Sequence, residues 1–455
     1  MESSDSRSLL VRFAKAFNPN TLVKALSGAA VLWTFLRDDG TIAVGVHRAF
    51  YNEAWYEAGM GDRFVLWLGF LLWLPVTSVV SAVLTRRCGP RVRRATGKGL
   101  LRQAREQFTM ACRHAVPPPW YYIFELYEEE HGSRALEYLY RFETKAALYD
   151  ILRKRLSDPV AANALSDKAA FARRCHEHSV AAVPALATVH QGRVQRLDGA
   201  ASGLPPCDLF LKPLRGAGGR GASRWTYGPD GRYHGNRGTV LDEAGLIEYV
   251  AGLSGTEDYV VRKCVSNHHS LTVLAGSALS TVRVVTCLDE NGRPEVTHAV
   301  LRMASSADVV VDNFHAGGIA AAVDLATGVL GPATDMGLRA DSRWWDSHPV
   351  SGAAITGCVL PLWEQVPELA RRAHEIFEDQ VAIGWDIAIC EEGALLVEGN
   401  KSPDLDIIQR ICRAPLGNTR FGELLFFNIK RALDVAVKGV SARAANAVPV
   451  HPDPQ

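Results

Sequence analysis

The sequence contains little cysteine, and its cysteines follow no recognisable spacing. Only 9 of the 455 residues are cysteine, and they are scattered without a C-x-x-C pair or the spacing of a zinc site. A disulfide framework is therefore not expected, and the pattern is typical of a reducing, cytosolic environment. We interpret Cys264 and Cys390 as small apolar residues of the core.

The chain also lacks a large net charge and a hydrolase signature. Lysine and arginine number 50 against 49 aspartates and glutamates, which leaves a net charge of +1. Nothing in this balance indicates a nucleic-acid partner. No G-x-S-x-G motif occurs, so a Ser-His-Asp triad is not expected. The length and the globular composition allow two or three domains.

The N-terminus lacks a signal-peptide cleavage pattern, and the first long apolar run comes late. Residues 64–84 carry no charge and are long enough to cross a bilayer as a helix, in which Pro75 would be tolerated. An earlier run, 25–36, is too short to span alone and could pair with it or lie in the interface. The alternative is a buried helix of a soluble, cytoplasmic protein. Basic residues crowd the C-terminal flank, which the positive-inside rule places in the cytoplasm: Arg86, Arg87, Arg91, Arg93 and Arg94.

The periodicity of the sequence divides the chain into four segments. Residues 1–99 form an N-terminal region, and 100–160 have apolar residues at helical spacing, which predicts a helical lead-in. Helices and strands alternate from 161 to 437, which predicts an α+β domain. Residues 438–455 are predicted to be a disordered tail.

The most informative stretch is GWDIAICEEGALLVEGNKSP at 384–403. Residues 382–390 and 394–398 have strand composition and are joined by a short connection that contains glycine, which predicts a β-hairpin. With a three-residue loop, Asp386 faces Glu398 across the hairpin. A two- or four-residue loop would shift the register by one and break this pair.

A facing pair of carboxylates favours a bound cation. The two Cβ atoms would lie about 5 Å apart, and like charges at that spacing repel. Asn400 would share the face of Glu398, because side chains alternate along a strand. Mg²⁺ prefers carboxylate and amide oxygens, so we hypothesise that Asp386, Glu398 and Asn400 hold Mg²⁺ against a phosphate-bearing substrate. The alternative is a solvated hairpin with scattered acids.

A glycine-rich loop at 215–224 follows a predicted strand that carries Lys212. It matches G-x-G-x-x-G at Gly216, Gly218 and Gly221, but the turn-rich sequence after it cannot begin the helix of a dinucleotide fold. We interpret it as a flexible loop between two strands, whose backbone N–H groups could wrap a triphosphate. The alternative is a plain surface turn. Further donors would come from the side chains of Arg220, Ser223 and Arg224.

Two other segments place polar groups among apolar residues. Arg283 lies in the predicted strand 280–286, where a charge needs a partner, either a phosphate or a structural salt bridge. Residues 309–323 place Asn313 and His315 between two apolar runs, an arrangement that suits substrate contact or a tight structural turn.

In their order along the chain, these elements resemble the ATP-grasp superfamily. More narrowly, FETKAALYDIL, ALSTVRVVT, DNFHAGGIAAAVDLATG and GWDIAICEEGALLVEGNKSPDLDIIQ resemble the sugar-transfer-associated ATP-grasp family, which is related to α-L-glutamate ligases. The resemblance covers about 115–437 and leaves out the apolar N-terminal region. The ordered features are Lys168 before a helix, Lys212 on a strand, the loop 216–223, a hinge strand 259–265, the Arg283 strand, and Asp386 with Glu398 and Asn400.

The resemblance implies an ATP-grasp fold, in which two α+β subdomains grip ATP. Lys168 and Lys212 would contact the ATP phosphates, and Arg283 would lie beside the transferred γ-phosphate. Asp386, Glu398 and Asn400 would hold one or two Mg²⁺ ions. The lid over the phosphates would comprise Gly216, Gly218, Gly219, Gly221 and Ser223.

The resemblance also implies where adenine binds, with one departure from the family pattern. The backbone of Lys263, Cys264 and Val265 would receive the adenine. An acidic residue usually opens this hinge, yet the chain has Arg262 and Lys263, which puts the usual recognition of ribose in doubt. The weaker candidates for contact with a second substrate are Asn313, His315 and Lys401.

The implied chemistry is phosphoryl transfer from ATP to a carboxylate, followed by attack of an amine on the acyl phosphate. The leading hypothesis is an ATP- and Mg²⁺-dependent carboxylate–amine ligase at the cytoplasmic membrane face, acting on a cell-surface polysaccharide or a related precursor. The alternatives are a phosphotransferase on a hydroxyl or phosphate acceptor, and a non-catalytic nucleotide-binding component of polysaccharide assembly. The retained acidic residues argue against the last alternative.

Overall fold

The computed structural model describes residues 39–57, 60–156, 164–197, 203–214, 221–235, 238–255, 257–275, 278–305, 314 and 317–446. Within these ranges, helices occupy the first part of the chain and two sheets the second. The α-helices are α1 (Ile42–Glu57), α2 (Met60–Thr96), α3 (Leu100–His114), α4 (Pro118–Ile123), α5 (Glu129–Ser133), α6 (Arg141–Glu143), α7 (Tyr149–Leu156), α8 (Lys168–Glu177), α9 (Glu243–Leu253), α10 (Thr272–Ala275), α11 (Gln365–Glu375), α12 (Leu405–Cys412) and α13 (Arg420–Asn446). A π-helical segment, Thr144–Leu148, joins α6 to α7, and Ala135–Glu137 and His269–Leu271 form 3₁₀ turns.

All strand pairs in the two sheets are antiparallel, apart from isolated bridges. The first sheet has the order β2-β1-β7-β3-β4-β5-β6 and the second β12-β11-β10-β9-β8-β13-β14. The strands are β1 (Ala185–His190), β2 (Arg193–Arg196), β3 (Leu209–Pro213), β4 (Ser223–Tyr227), β5 (Tyr233–Gly235), β6 (Val240–Leu241), β7 (Tyr259–Lys263), β8 (Thr281–Leu288), β9 (Pro294–Met303), β10 (Ile319–Val323), β11 (Leu330–Thr334), β12 (Trp344–Trp345), β13 (Ala382–Cys390) and β14 (Gly393–Asn400).

The helical lead-in packs against the second sheet. One core cluster unites buried aromatics of the lead-in, such as Tyr122, Tyr140 and Phe142, with Val285 of β8 and Leu405 of α12. The opposite face of the same sheet is covered by α11, and the first sheet has its own smaller core under α9. The second sheet is therefore buried on both faces, and every residue of β13 is buried.

Helix α2 presents apolar side chains outwards and buries polar ones. It is 37 residues long, with Pro75 and Pro90 inside, and extends beyond the predicted run of 64–84 at both ends. Among the described residues, α2 alone is long and apolar enough to cross a membrane, and only 22% of its most apolar window is buried. Phe64 and Leu71 are exposed, whereas Thr77 and Thr85 are buried. This distribution is the reverse of the usual one for a helix of a soluble protein.

Polar side chains join α2 to α3. Nε2 of Gln107 donates to Oγ1 of Thr85 at 2.8 Å, and Nε2 of Gln103 donates to the carbonyl oxygen of Gly89 at 3.1 Å. Gly89 also permits the close approach of the two helices, because an added Cβ would lie 2.7 Å from Leu100. Small residues and buried hydrogen bonds are typical of helix pairs in membranes.

At the C-terminus, α13 continues to Asn446, beyond the predicted boundary at 437. The first part of the segment predicted to be a disordered tail is therefore helical.

Candidate active site

The predicted β-hairpin forms, but with a different loop and register. Cys390 pairs with Gly393, so the connection has two residues rather than the three that we expected. Gly393 adopts a φ of +136°, which favours glycine. A two-residue loop alone would have separated the acidic pair. A bulge at Val397 restores the alignment, so that Asp386 lies opposite Glu398 after all.

Asp386 is held by two arginines from neighbouring strands. Oδ1 accepts a hydrogen bond from Nε of Arg283 at 2.5 Å, and Oδ2 accepts from Nη2 of Arg283 at 3.1 Å. Nη2 of Arg302 lies 3.0 Å from the same Oδ2. Burial alone would raise the pKa of Asp386, but the charges of Arg283 and Arg302 outweigh it and lower that pKa to about 2. The partner of Arg283 is thus a carboxylate, the structural salt bridge that the sequence left as one alternative.

Two lysines approach Glu398 from the first sheet and from α8. Nζ of Lys212 on β3 lies 3.4 Å from Oε2 of Glu398. Burial and the neighbouring charge of Arg262 lower the pKa of Lys212 to about 8, although Glu398 opposes this shift. Nζ of Lys168 donates to the carbonyl oxygen of Leu214 at 2.9 Å, and burial lowers its pKa. The structure therefore places Lys168, Lys212 and Glu398 in one region, and contact of the two lysines with ATP phosphates stays a prediction.

Arg262 connects the two halves of the site. It is 2% exposed and lies on β7, at the hinge position where the sequence departs from the family pattern. Its Nη1 donates to the carbonyl oxygen of Val397, the bulge residue, at 2.6 Å, and its Nη2 donates to that of Lys168 at 3.1 Å. Burial lowers the pKa of Arg262 to about 10. Sequence reasoning missed this role, although a charge in the apolar strand YVVRK is the same signal that singled out Arg283.

The glycine loop lies between adjacent antiparallel strands, as predicted. Leu211 of β3 pairs with Ser223 of β4, so residues 214–222 connect a hairpin. Gly221 adopts a φ of +73°, and an added Cβ there would meet Pro213 at 3.0 Å. Oγ of Ser223 accepts a hydrogen bond from Nε1 of Trp225 at 3.0 Å. The predicted lid residues that lie outside the described ranges are Gly216, Gly218, Gly219 and Arg220.

The segment predicted to receive adenine, 263–265, begins at the last residue of β7. The backbone N–H of Cys264 donates to the carbonyl oxygen of Asp208 at 2.8 Å, so this group is used within the fold. Lys263 is exposed, whereas Cys264 and Val265 are half-buried. The expectation that this backbone receives adenine stays a prediction.

Of the three candidates for the second substrate, the structure describes Lys401. It directly follows Asn400, and its pKa is lowered by burial and by the charge of Arg153. Asn313 and His315 lie outside the described residues.

The residues around Glu398 fit a divalent cation. Asp386, Glu398 and Asn400 supply the oxygen donors that Mg²⁺ prefers. The charge of Asp386 is largely balanced by two guanidinium groups, so Glu398 would provide most of the attraction for a cation. Nδ2 of Asn400 is buried without a hydrogen-bond partner among the described residues, so no such bond fixes the amide, and its oxygen can turn towards a cation.

Two sheets that meet at lysines and acidic oxygen donors define an ATP-grasp protein, and comparison with known proteins identifies the family. The family described as sugar-transfer associated ATP-grasp matches residues 149–418. Because this match covers more than half of the chain, the protein belongs to the sugar-transfer associated ATP-grasp family. The predicted family and the predicted fold class, α+β with an ATP-grasp fold, are confirmed. No curated protein sequence matches this chain.

Several solved structures are similar to this chain at low sequence identity. D-alanyl-alanine synthetase A from Vibrio cholerae is 14% identical with a TM-score of 0.37, covering 61% of this chain and 68% of that one. D-alanine–D-alanine ligase from Bacillus anthracis complexed with ATP is 12% identical with a TM-score of 0.35, covering 62% and 71%. Biotin carboxylase from Campylobacter jejuni is 13% identical with a TM-score of 0.35, covering 60% and 47%.

Proposed function

We propose that this protein is an ATP- and Mg²⁺-dependent ligase that joins a carboxylate to an amine through an acyl phosphate. The observation that carries the proposal is the convergence of Lys212 and Lys168 on Glu398, which lies beside Asp386. Lysines supply positive charge for a triphosphate, and the acidic residues supply ligands for its cation. Membership of the ATP-grasp family supports ATP as the nucleotide.

The residues of the site have different roles. Lys168 and Lys212 hold the phosphates, and Arg283 lies next to the acidic pair, where it can stabilise charge on the transferring group. Bound Mg²⁺ would neutralise negative charge on the phosphates. The substrate carboxylate takes the γ-phosphoryl group and releases ADP; the amine then attacks the acyl carbon, loses a proton and releases phosphate. The chemistry is mainly positioning and electrostatics, and no covalent nucleophile from the chain is needed.

The proposed location is the cytoplasmic face of a membrane, with α2 as the anchor. The exposed apolar face of α2 and its buried polar stripe support this location. Exposed arginines at the C-terminal end of the apolar run, such as Arg86 and Arg87, match the positive-inside rule for a cytoplasmic ATP-grasp domain. The family's association with sugar transfer supports a polysaccharide or related precursor as substrate.

The activity can be tested by product identification. The detergent-solubilised protein is incubated with Mg-ATP and pooled carboxylates, amines and sugar nucleotides, and products are analysed by mass spectrometry. Formation of an amide together with ADP and phosphate is the expected result. Phosphate retained on a hydroxyl or phosphate acceptor would contradict the ligase proposal and favour a phosphotransferase.

A further inference from the structure

The π-helical segment Thr144–Leu148 presents a lysine beside the loop that follows the acidic residues. Nζ of Lys145 lies 3.6 Å from Oδ2 of Asp404, a buried carboxylate at the start of α12. Nη1 of Arg141 lies 2.8 Å from the same oxygen. Single π-helical turns are rare in proteins overall, but those that occur are often found at functional sites.

The loop 401–404 links this lysine to the active site. Asp404 follows Pro403, which packs on Gly384, the residue that pairs with Asn400 at the open end of the acidic hairpin. An added Cβ on Gly384 would lie 3.2 Å from Cβ of Pro403 and 3.3 Å from Cδ of Arg283. Burial lowers the pKa of Lys145, and the charges of Arg141 and Arg283 lower it further, although Asp404 opposes this shift.

Hydrogen bonds to other parts of the fold hold the π-helical segment and the loop 401–404 in place. Glu143, two residues before Lys145, is fully buried and lies 2.7 Å from Nδ1 of His47 on α1. On the other side, Nη1 of Arg153 donates to the carbonyl oxygen of Lys401 at 2.9 Å and to Oγ of Ser402 at 3.2 Å. Lys145 is therefore held in place by structure that does not depend on a ligand.

The part of the site formed by the π-helical segment and the loop 401–404 carries more positive than negative charge. Arg141 and Lys145 share the single carboxylate of Asp404. The nearby Asp406 is a second buried carboxyl group, which accepts hydrogen bonds from Nε1 of Trp120 and from the backbone N–H of Arg141; burial and then the charge of Asp404 raise its pKa. Lys401 contributes another cation on the same loop. A bound anion would balance this excess.

We propose that Lys145 binds an oxyanion of the second substrate, a carboxylate or a phosphate group, beside the site of phosphoryl transfer. The proposal rests on the proposed function for the position of the transferred group. A lysine is a compact charge with three hydrogen-bond donors, which suits either anion, and its side chain is 38% exposed and so reachable.

The test measures anion binding separately from nucleotide binding. The full-length protein, with and without Mg²⁺ and a non-hydrolysable ATP analogue, is titrated with inorganic phosphate and separately with acetate, and the rise in Tm gives the anion affinity. We expect Lys145→Gln to weaken binding of the preferred anion about tenfold, because one charge-assisted contact is lost. Lys145→Arg should retain most of the affinity. Lys154→Gln, at an exposed position on the neighbouring helix α7, is the matched control and should leave it unchanged.

Each result decides the proposal. The anion that binds more tightly identifies the group on the substrate. Equal anion affinities of the wild type and Lys145→Gln, or no saturable binding of either anion to the wild type, would overturn it. If Lys145→Gln does not fold, Lys145→Met takes its place in the comparison with Lys154→Gln: a lower anion affinity supports the proposal, and an unchanged affinity overturns it. A wild type that binds an anion but not the nucleotide analogue would instead contradict the proposed function.

Discussion

Asp386 and Glu398 face each other across one hairpin, but their surroundings give them different tasks. The side chain of Asp386 is 4% exposed and is surrounded by Arg283 and Arg302. The side chain of Glu398 is 36% exposed and faces Lys212 at 3.4 Å. Glu398 is therefore the carboxylate more available to a cation, whereas Asp386 mainly pairs with two half-buried guanidinium groups.

This difference predicts opposite outcomes for two amide substitutions. Glu398→Gln should leave the stability within about 1 kcal/mol but lower Mg²⁺-dependent ATP turnover at least about 100-fold. Asp386→Asn should lower the free energy of unfolding by about 3 kcal/mol, because two half-buried guanidinium groups lose the negative charge that faces them. Thermal unfolding and ADP release measure the two effects. Glu392→Gln at the exposed tip of the hairpin is the control for both, and unchanged turnover and Mg²⁺ dependence in Glu398→Gln would refute the metal assignment.

At the scale of elements, the site depends on how β7, β14 and α8 are joined. The bulge at Val397 aligns the acidic pair, and Arg262 holds the carbonyl oxygen of that bulge and that of Lys168. One side chain thus positions a carboxylate from the second sheet and a lysine from α8. This role accounts for a basic residue at the hinge.

Arg262→Lys tests this connection. A lysine keeps the charge but lacks the planar fork that donates to two carbonyl oxygens at once. We expect a loss of stability of about 1–3 kcal/mol, together with weaker binding of the ATP analogue. Arg232→Lys, at an exposed position in the first sheet's β4–β5 turn, should change neither quantity. Wild-type nucleotide affinity in Arg262→Lys would show that the connection is not needed for the site.

The contact between α1 and the lead-in predicts a dependence of stability on pH. Nδ1 of His47 faces Oε2 of Glu143, and its Nε2 faces the carbonyl oxygen of Leu136 at 3.0 Å. Burial would lower the pKa of His47, but the charge and hydrogen bond of Glu143 outweigh it and raise that pKa above 6.5. The stabilising contribution is therefore fully present below 6.5 and is lost as the pH rises through the higher value of the folded state.

His47→Gln should remove that part of the pH dependence. Thermal unfolding in detergent at about pH 6 and about pH 9 would show a larger fall in Tm for the wild type than for the variant. His234→Gln, on β5 with a side chain that is 43% exposed, is the control. The same fall in both proteins would contradict the assignment of the charge to His47.

At the scale of the whole molecule, the proposed membrane location rests on one long helix, α2. The outward-facing apolar residues of α2 include Leu71 and Leu72, which are 70% and 49% exposed. Exposure of so large an apolar surface to water is unfavourable, whereas a bilayer would cover it.

Fractionation tests this location. The wild type should stay in the membrane pellet after extraction with high salt and with alkaline carbonate. Leu71→Arg combined with Leu72→Arg should shift it to the soluble fraction, because charge in the bilayer core costs about 2.5–3.5 kcal/mol per residue. The matched control is Val350→Arg with Val359→Arg, two equally exposed positions in the ATP-grasp part, which should stay in the pellet. Release of the wild type by salt or carbonate would exclude a spanning anchor.

Local sequence determined the parts of this protein that depend on residue type and order. The strand composition around the acidic hairpin, the glycine loop between strands and the apolar run of α2 are all local patterns. The ordered motifs between about 115 and 437 were enough to indicate the family. Even the facing of Asp386 and Glu398 was predicted, although the expected loop length was wrong and the bulge at Val397 compensated for it. No local pattern in the sequence indicates this bulge, because it depends on contacts with the neighbouring strand and with Arg262.

Only the tertiary structure decided which charges meet. Arg283 could have faced a phosphate or a carboxylate, and the choice depends on a strand more than 100 residues away in the chain, which carries Asp386. The contacts of Arg262 with Val397 and of Lys145 with Asp404 are equally remote in sequence. Burial makes each of these charges require a partner, and partner identity is set by the packing of sheets and helices rather than by the residues on either side.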